Sequence, residues 1–191
     1  MNLKEFYKSE FSEHQKVLHA TEKALEDAFY KLVGCSVTAL KKGGKIIFMG
    51  NGGSASDAQH LATELTVRYK ENRAAIAALS LSTDTSALTA IGNDFGFDYL
   101  FSRQIEAIAK PEDFIIGITT SGKSPNIIKA FEQADKMGIK YGALSGKDGG
   151  DIKNVDPILI VPSNTTARIQ EMHIMLGQML CNAIEYELGV I

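Results

Sequence analysis

The apolar positions of this 191-residue chain fall into two regimes. Over roughly the first forty residues, Phe6, Phe11, Val17, Leu18, Ala24 and Leu25 recur at about helical spacing among Lys and Glu, and no Gly or Pro intervenes before Gly34. This predicts a helix up to Gly34 and a second helix to about Lys42, ended by Gly43-Gly44. Beyond that point the apolar residues gather into short runs at 45–50, 75–81, 113–119, 140–145 and 157–162, which read as strands. Helix-length segments at 54–69, 85–91, 101–109 and 124–137 separate them, and a long helix over 166–188 closes the chain.

Short apolar strands alternating with helices read as a parallel sheet covered on both faces. The expected fold is therefore α/β, a three-layer α/β/α arrangement around a five-stranded parallel sheet with an N-terminal helical extension. One domain is expected over 1–191, with helices in 1–42 and the α/β core plus C-terminal helix in 43–191. The last helix carries Met172, Ile174, Met175, Leu176, Met179, Leu180, Ala183 and Ile184 around most of its circumference. A helix apolar on all sides is a buried one, so packing against another subunit is expected.

Composition narrows the function classes. At 45% hydrophobic and 23% charged the chain can bury a core and is no disordered polyelectrolyte. A net charge of −3 with no basic stripe argues against nucleic acid and anionic membrane as partners. No apolar run approaches the ~20 residues that span a bilayer, and no apolar leader follows Met1, so a cytoplasmic protein is expected. Cys35 and Cys181, far apart and each in an apolar helical pattern, read as reduced core thiols.

In open α/β sheets ligands bind at the carboxyl ends of strands, and two loops stand out there. Gly50-Asn51-Gly52-Gly53-Ser54 follows the first strand; its glycines permit close backbone approach to a ligand, and Ser54 can cap the next helix. The same residues also suit a plain tight turn, and they do not make the dinucleotide fingerprint. Thr119-Thr120-Ser121-Gly122-Lys123-Ser124-Pro125-Asn126 follows the third strand. Hydroxyls at a helix N-terminus form an anion site suited to phosphate, or simply a cap. Gly117 to Ser124 matches the spacing of a nucleotide-binding P-loop, but Gly117 falls inside the predicted strand, which disfavours that reading.

Asp57, His60, Glu64 and Arg68 line one stripe of the helix after the first loop, away from Ala55, Ala58, Ala62 and Leu65. A His and a Glu one turn apart can share a metal or a proton-transfer task, or form a solvated pair. Arg168, Gln170, Glu171, His173 and Gln178 are polar intrusions in the last helix, either a satisfied core network or part of a site. Gly92-Asn93-Asp94-Phe95-Gly96 reads as a turn, and His14 and His19 receive no role.

Taken together, Gly50–Ser54, the His60/Glu64 pair, Gly92-Asn93-Asp94-Phe95-Gly96-Phe97, Thr120–Ser124, Gly146-Lys147-Asp148-Gly149-Gly150 and Arg168-Ile169-Gln170-Glu171 resemble the sugar isomerase (SIS) domain, and within it the phosphoheptose isomerases. The resemblance runs in order from about Lys4 to Leu188. It implies a flavodoxin-like sheet, a homotetramer packed through the terminal helices, and an aldose–ketose isomerase. The implied reaction takes sedoheptulose 7-phosphate to D-glycero-D-manno-heptose 7-phosphate through an enediol, for bacterial lipopolysaccharide or capsule.

The resemblance also implies residue roles. Thr119, Thr120, Ser121 and Ser124 would hold the phosphate; Asn51, Gly52, Gly53, Ser54, Asn93 and Asp94 would contact the sugar. Glu64 would be the base, and His60, Glu64, Gln170 and a late histidine would bind zinc, with that histidine as the second acid/base. This chain has Gln178 at the late position. Gln exchanges no proton near neutral pH and is a weak zinc ligand, so impaired catalysis and a weakened zinc site are expected. Water or His173 could take over the proton transfer, or the chain could be a non-catalytic relative that binds a replication-initiation protein.

Overall fold

A computed structural model describes residues 2–191. One helix, α1 (Leu3–Lys41), opens the described residues behind a reciprocal Asn2–Glu5 capping box. The break expected at Gly34 is absent. A helical glycine costs only about 1 kcal/mol, while Leu25, Leu32, Val33 and Val37 bury themselves on the core along the same stripe.

There follow β1 (Ile46–Gly50), α2 (Gly53–Thr66), β2 (Ala78–Ser80), α3 (Thr85–Asp94), α4 (Ser102–Ile108), β3 (Phe114–Ile118), α5 (Pro125–Met137), β4 (Lys140–Gly146), β5 (Ile158–Val161) and α6 (Thr166–Glu187). All five strands run parallel in the order β2-β1-β3-β4-β5. This is the doubly wound flavodoxin-like order. Side chains alternate across it: Ile46 and Phe48 face α1, α2 and α6, whereas Ile47 and Met49 face α4 and α5. Both faces are thus covered, β1 and β3 are buried throughout, and the layers are α/β/α.

Two expectations change locally. The second strand shrinks to three residues at the sheet edge, where it has one neighbour. Gly92, Asn93 and Asp94 belong to the last turn of α3, whose capping Asp84 accepts from the Ala87 N–H; the true turn begins at Phe95-Gly96. No helix among the described residues is long and apolar enough to cross a membrane.

Candidate active site

The strand order reverses between β1 and β3, and that switch point is where such sheets open a crevice at their carboxyl ends. Gly50 pairs with Ile118 in register, so the two loops singled out in the sequence leave the sheet side by side. In the first, Gly52 has φ +56°, a conformation that favours glycine. Ser54 is no cap: it is buried inside α2, whose N-cap is Gly52 with no side-chain hydrogen bond. The helix start thus keeps its N–H groups free of any side-chain cap.

The second loop is built from hydroxyls. Ser124 is the N-cap residue of α5, but its hydroxyl does not cap; it lies 3.2 Å from the Thr119 hydroxyl. Ser121 Oγ accepts from the Lys123 N–H at 3.2 Å. Hydroxyls gathered at an uncapped helix N-terminus suit an anion. The Gly146–Gly150 turn supports this loop from beneath. A Cβ on Gly122 would fall 2.0 Å from the Gly149 carbonyl oxygen, and the Asp151 N–H donates to the Gly122 carbonyl at 3.0 Å. Within that turn the Asp148 carboxyl accepts from the Gly150 N–H, which holds its pKa below the usual carboxylate value.

On α2, His60 Nε2 stands 2.8 Å from Glu64 Oε1, and Gln178 Nε2 lies 3.5 Å from the same imidazole nitrogen. The His60 and Glu64 side chains are 47% and 20% exposed. Desolvation raises the Asp57 carboxyl above its ordinary pKa, and His60 works against it. Arg68 leaves the stripe, because α2 ends at Thr66. Asn93 and Asp94 are exposed on α3 and bond each other at 2.7 Å.

Helices α2 and α6 run parallel, Gly53 beside Gln170 and Leu61 beside Gly177 and Cys181. A Cβ on Gly53 would meet Gln170 Nε2 at 2.6 Å, so Gln170 lies over the first loop. Gln178 is eight residues further along a regular helix, about 12 Å. One chain therefore joins His60, Glu64 and Gln178 but leaves Gln170 apart, and the expected four-ligand set is not assembled. No group of three His, Cys, Asp or Glu that could hold a metal occurs among the described residues. An imidazole, a carboxylate and an amide are one strong donor short of a zinc site.

The other polar residues of α6 pair away from this group. Arg168 donates to the Glu10 carbonyl at 2.7 Å and pairs with Glu171, which also meets His14 Nδ1 at 2.7 Å. His14 thus ties α1 to α6, a role that no local pattern signals. His173 is fully buried and donates through Nε2 to the Ser145 carbonyl at 2.9 Å; burial lowers its pKa to about 4. It cannot replace the missing acid/base. Asn126, quoted with the hydroxyl loop but given no role of its own there, is buried at the crevice and bonds Asn51.

Comparison with known proteins fits this geometry. The SIS-domain family model matches residues 11–146. The chain is 53% identical over 186 residues to the phosphoheptose isomerase of Paramagnetospirillum magneticum, covering 97% of both chains. The chain belongs to the phosphoheptose isomerases of the SIS-domain family. The structure of phosphoheptose isomerase from Neisseria gonorrhoeae superposes with a TM-score of 0.90 at 42% identity, over 97% of this chain and all of that one. The enzyme from Francisella tularensis gives 0.94 at 34% identity, again over 97% and 100%. Nothing in these comparisons supports an initiator-binding regulator.

Proposed function

We propose that the chain isomerises sedoheptulose 7-phosphate to D-glycero-D-manno-heptose 7-phosphate, supplying heptose for bacterial lipopolysaccharide or capsule from the cytoplasm. The observation that carries this reading is the exposed His60–Glu64 pair on the helix that leaves the glycine loop, beside a hydroxyl loop at the sheet's switch point. A carboxylate, a phosphate cradle and a polar sugar path are the parts that an aldose–ketose isomerase requires.

Thr119, Thr120, Ser121 and Ser124 hold the phosphate. Asn51, Gly52, Gly53, Ser54, Asn93, Asp94 and Gln170 meet the sugar hydroxyls. Glu64 takes a proton from C1 of the ketose, and the electron pair closes the C1–C2 double bond of the enediol. The same carboxyl returns the proton to C2 while the oxygen-bound protons redistribute, O1 becoming the carbonyl and O2 a hydroxyl. Gln178 lies where it orients these oxygens by hydrogen bonds, but it exchanges no proton. That transfer then falls to water, which lowers the rate. The donor set does not fit zinc, and no step is routed through a metal.

Assembly belongs to the same proposal. An apolar groove of about 490 Å³ between α1 and α6, lined by Leu18, Leu25, Phe29, Met175, Leu176 and Met179, supports a homotetramer packed through these helices. The decisive test is conversion of sedoheptulose 7-phosphate, followed by the aldose signal in NMR, with sedimentation velocity on the same sample. Aldose formation that saturates with substrate is expected. A chain that neither converts the sugar nor is thermally stabilised by it overturns the assignment.

A further inference from the structure

Asn126 is 1% exposed in the first turn of α5, a costly place for an amide unless it is hydrogen-bonded. Its partner is Asn51, at the tip of β1 on the neighbouring loop. Asn51 Nδ2 donates to Asn126 Oδ1 at 2.8 Å, and Asn126 Nδ2 donates to Asn51 Oδ1 at 2.9 Å. The two bonds form a closed ring across the crevice between β1 and β3. They join the glycine loop to the helix that starts at the hydroxyl loop.

We propose that Asn126 is a positioning residue that holds the sugar loop in its binding form through Asn51. This rests on the isomerase reading above for its catalytic consequence. The first loop contains Gly50, Gly52 and Gly53, with Gly52 in a left-handed conformation and no side-chain cap on the helix that follows. Such a segment loses much conformational freedom when ordered. The amide ring removes that freedom before the substrate arrives, so binding need not. Each amide spends one of two N–H groups and one of two lone pairs on the ring. Half-buried Asn51 keeps the others for a sugar hydroxyl, fixed in direction by a residue that touches no substrate itself. Gly122 packing on Gly149 fixes the hydroxyl loop separately, so the brace acts on the glycine loop.

Asn126→Asp tests this with almost no change of shape, because it replaces one donor by an oxygen facing the Asn51 carbonyl. Amide hydrogen exchange over 50–56 is expected to accelerate about 10-fold, while the strands keep their protection. KM for sedoheptulose 7-phosphate is expected to rise about 10-fold with kcat within about 3-fold. A merely structural role would instead speed exchange across the whole sheet and lower the active fraction at unchanged KM. Unchanged exchange at 50–56 in the folded variant overturns the proposal. If Asn126→Asp fails to fold, Asn51→Ala cuts the ring from its half-exposed side, and exchange at 50–56 is scored alike. Should the parent chain convert no sugar, the isomerase reading falls, and the exchange data still decide the brace.

Discussion

Helices α2 and α6 lie parallel, and two unlike polar clusters stand along the pair, the second completed by the loop that follows α2. On the solvent-facing side, His60, Glu64 and Gln178 converge, and the Glu64 carboxylate accepts one hydrogen bond from an imidazole. At the far end, Arg73 and Glu185 are 1% and 0% exposed. There Glu185 Oε1 accepts from Arg73 Nε at 2.7 Å and from the Tyr69 N–H at 3.1 Å. The same guanidinium donates to the carbonyls of Glu64 and Leu65 at the end of α2. A carboxylate occupied by fixed donors in a dry setting holds helices together. One with a single exposed partner remains free to move a proton. Exposure and pairing, not residue type, separate the glutamate proposed as the base from the structural one.

The largest expected effect lies at the open end. Glu64→Gln is expected to lower kcat by about 10²–10⁴-fold, the usual cost of removing a general base, with the melting temperature little changed. Full activity in a steady-state assay would move the base elsewhere and dissolve the contrast. Gln178→His runs the other way. It adds a proton-exchanging group beside His60 and a third strong donor for zinc, so a rate gain of about 10²-fold or more is expected. Zinc titration by calorimetry is expected to show tight binding only in this variant, and a chelator to leave the parent's melting temperature unchanged. Tight zinc binding by the parent would mean that Gln170 or another copy of the chain completes the site.

At the sealed end the prediction concerns stability. Arg73→Met leaves Glu185 buried and uncompensated, and is expected to cost about 3–5 kcal/mol in urea denaturation. The double replacement Arg73→Met with Glu185→Leu is expected to recover most of that loss, because two apolar side chains remove the unpaired charge. A single variant as stable as the parent would show that the pair is not the clamp its geometry suggests.

The sequence disclosed the sheet and both ligand loops because short apolar runs and glycine or hydroxyl clusters are local signals. The His60–Glu64 pair was legible for the same reason, through its spacing of one helical turn. What escaped depends on partners distant in the chain. Asn126 is one amide among many until Asn51 closes on it from 75 residues away. His14 meets Glu171 across 157 residues, and Arg73 reads as an ordinary loop cation until Glu185 is placed. The missed helix through Gly34 has a different cause, since tertiary burial overrides a weak local preference. Gln170 and Gln178 are a third case. They stand eight residues apart in the sequence, and the regular α6 turns that spacing into about 12 Å.

His173, on α6 between Gln170 and Gln178, gives the smallest and most specific test. Its Nε2–H donates to the Ser145 carbonyl, its Nδ1 has no partner among the described residues, and burial lowers its pKa from 6.5 to about 4. The folded chain therefore keeps this ring neutral where the unfolded chain protonates it. Between about pH 6.5 and pH 4 the unfolded state binds more protons, so stability falls as pH drops through that window and levels off below it. The contribution is at most about 3 kcal/mol. His173→Gln retains a donor for Ser145 and is expected to cost about 1 kcal/mol at pH 7.5. It also removes this part of the acid slope, so its stability curve meets the parent's at about pH 6 and lies above it at lower pH. Urea midpoints measured from pH 4.5 to 7.5 decide the matter. Parallel curves would mean that His173 is not the titrating group, whereas a crossing with activity per folded molecule kept within about 2-fold makes it a core histidine outside the chemistry.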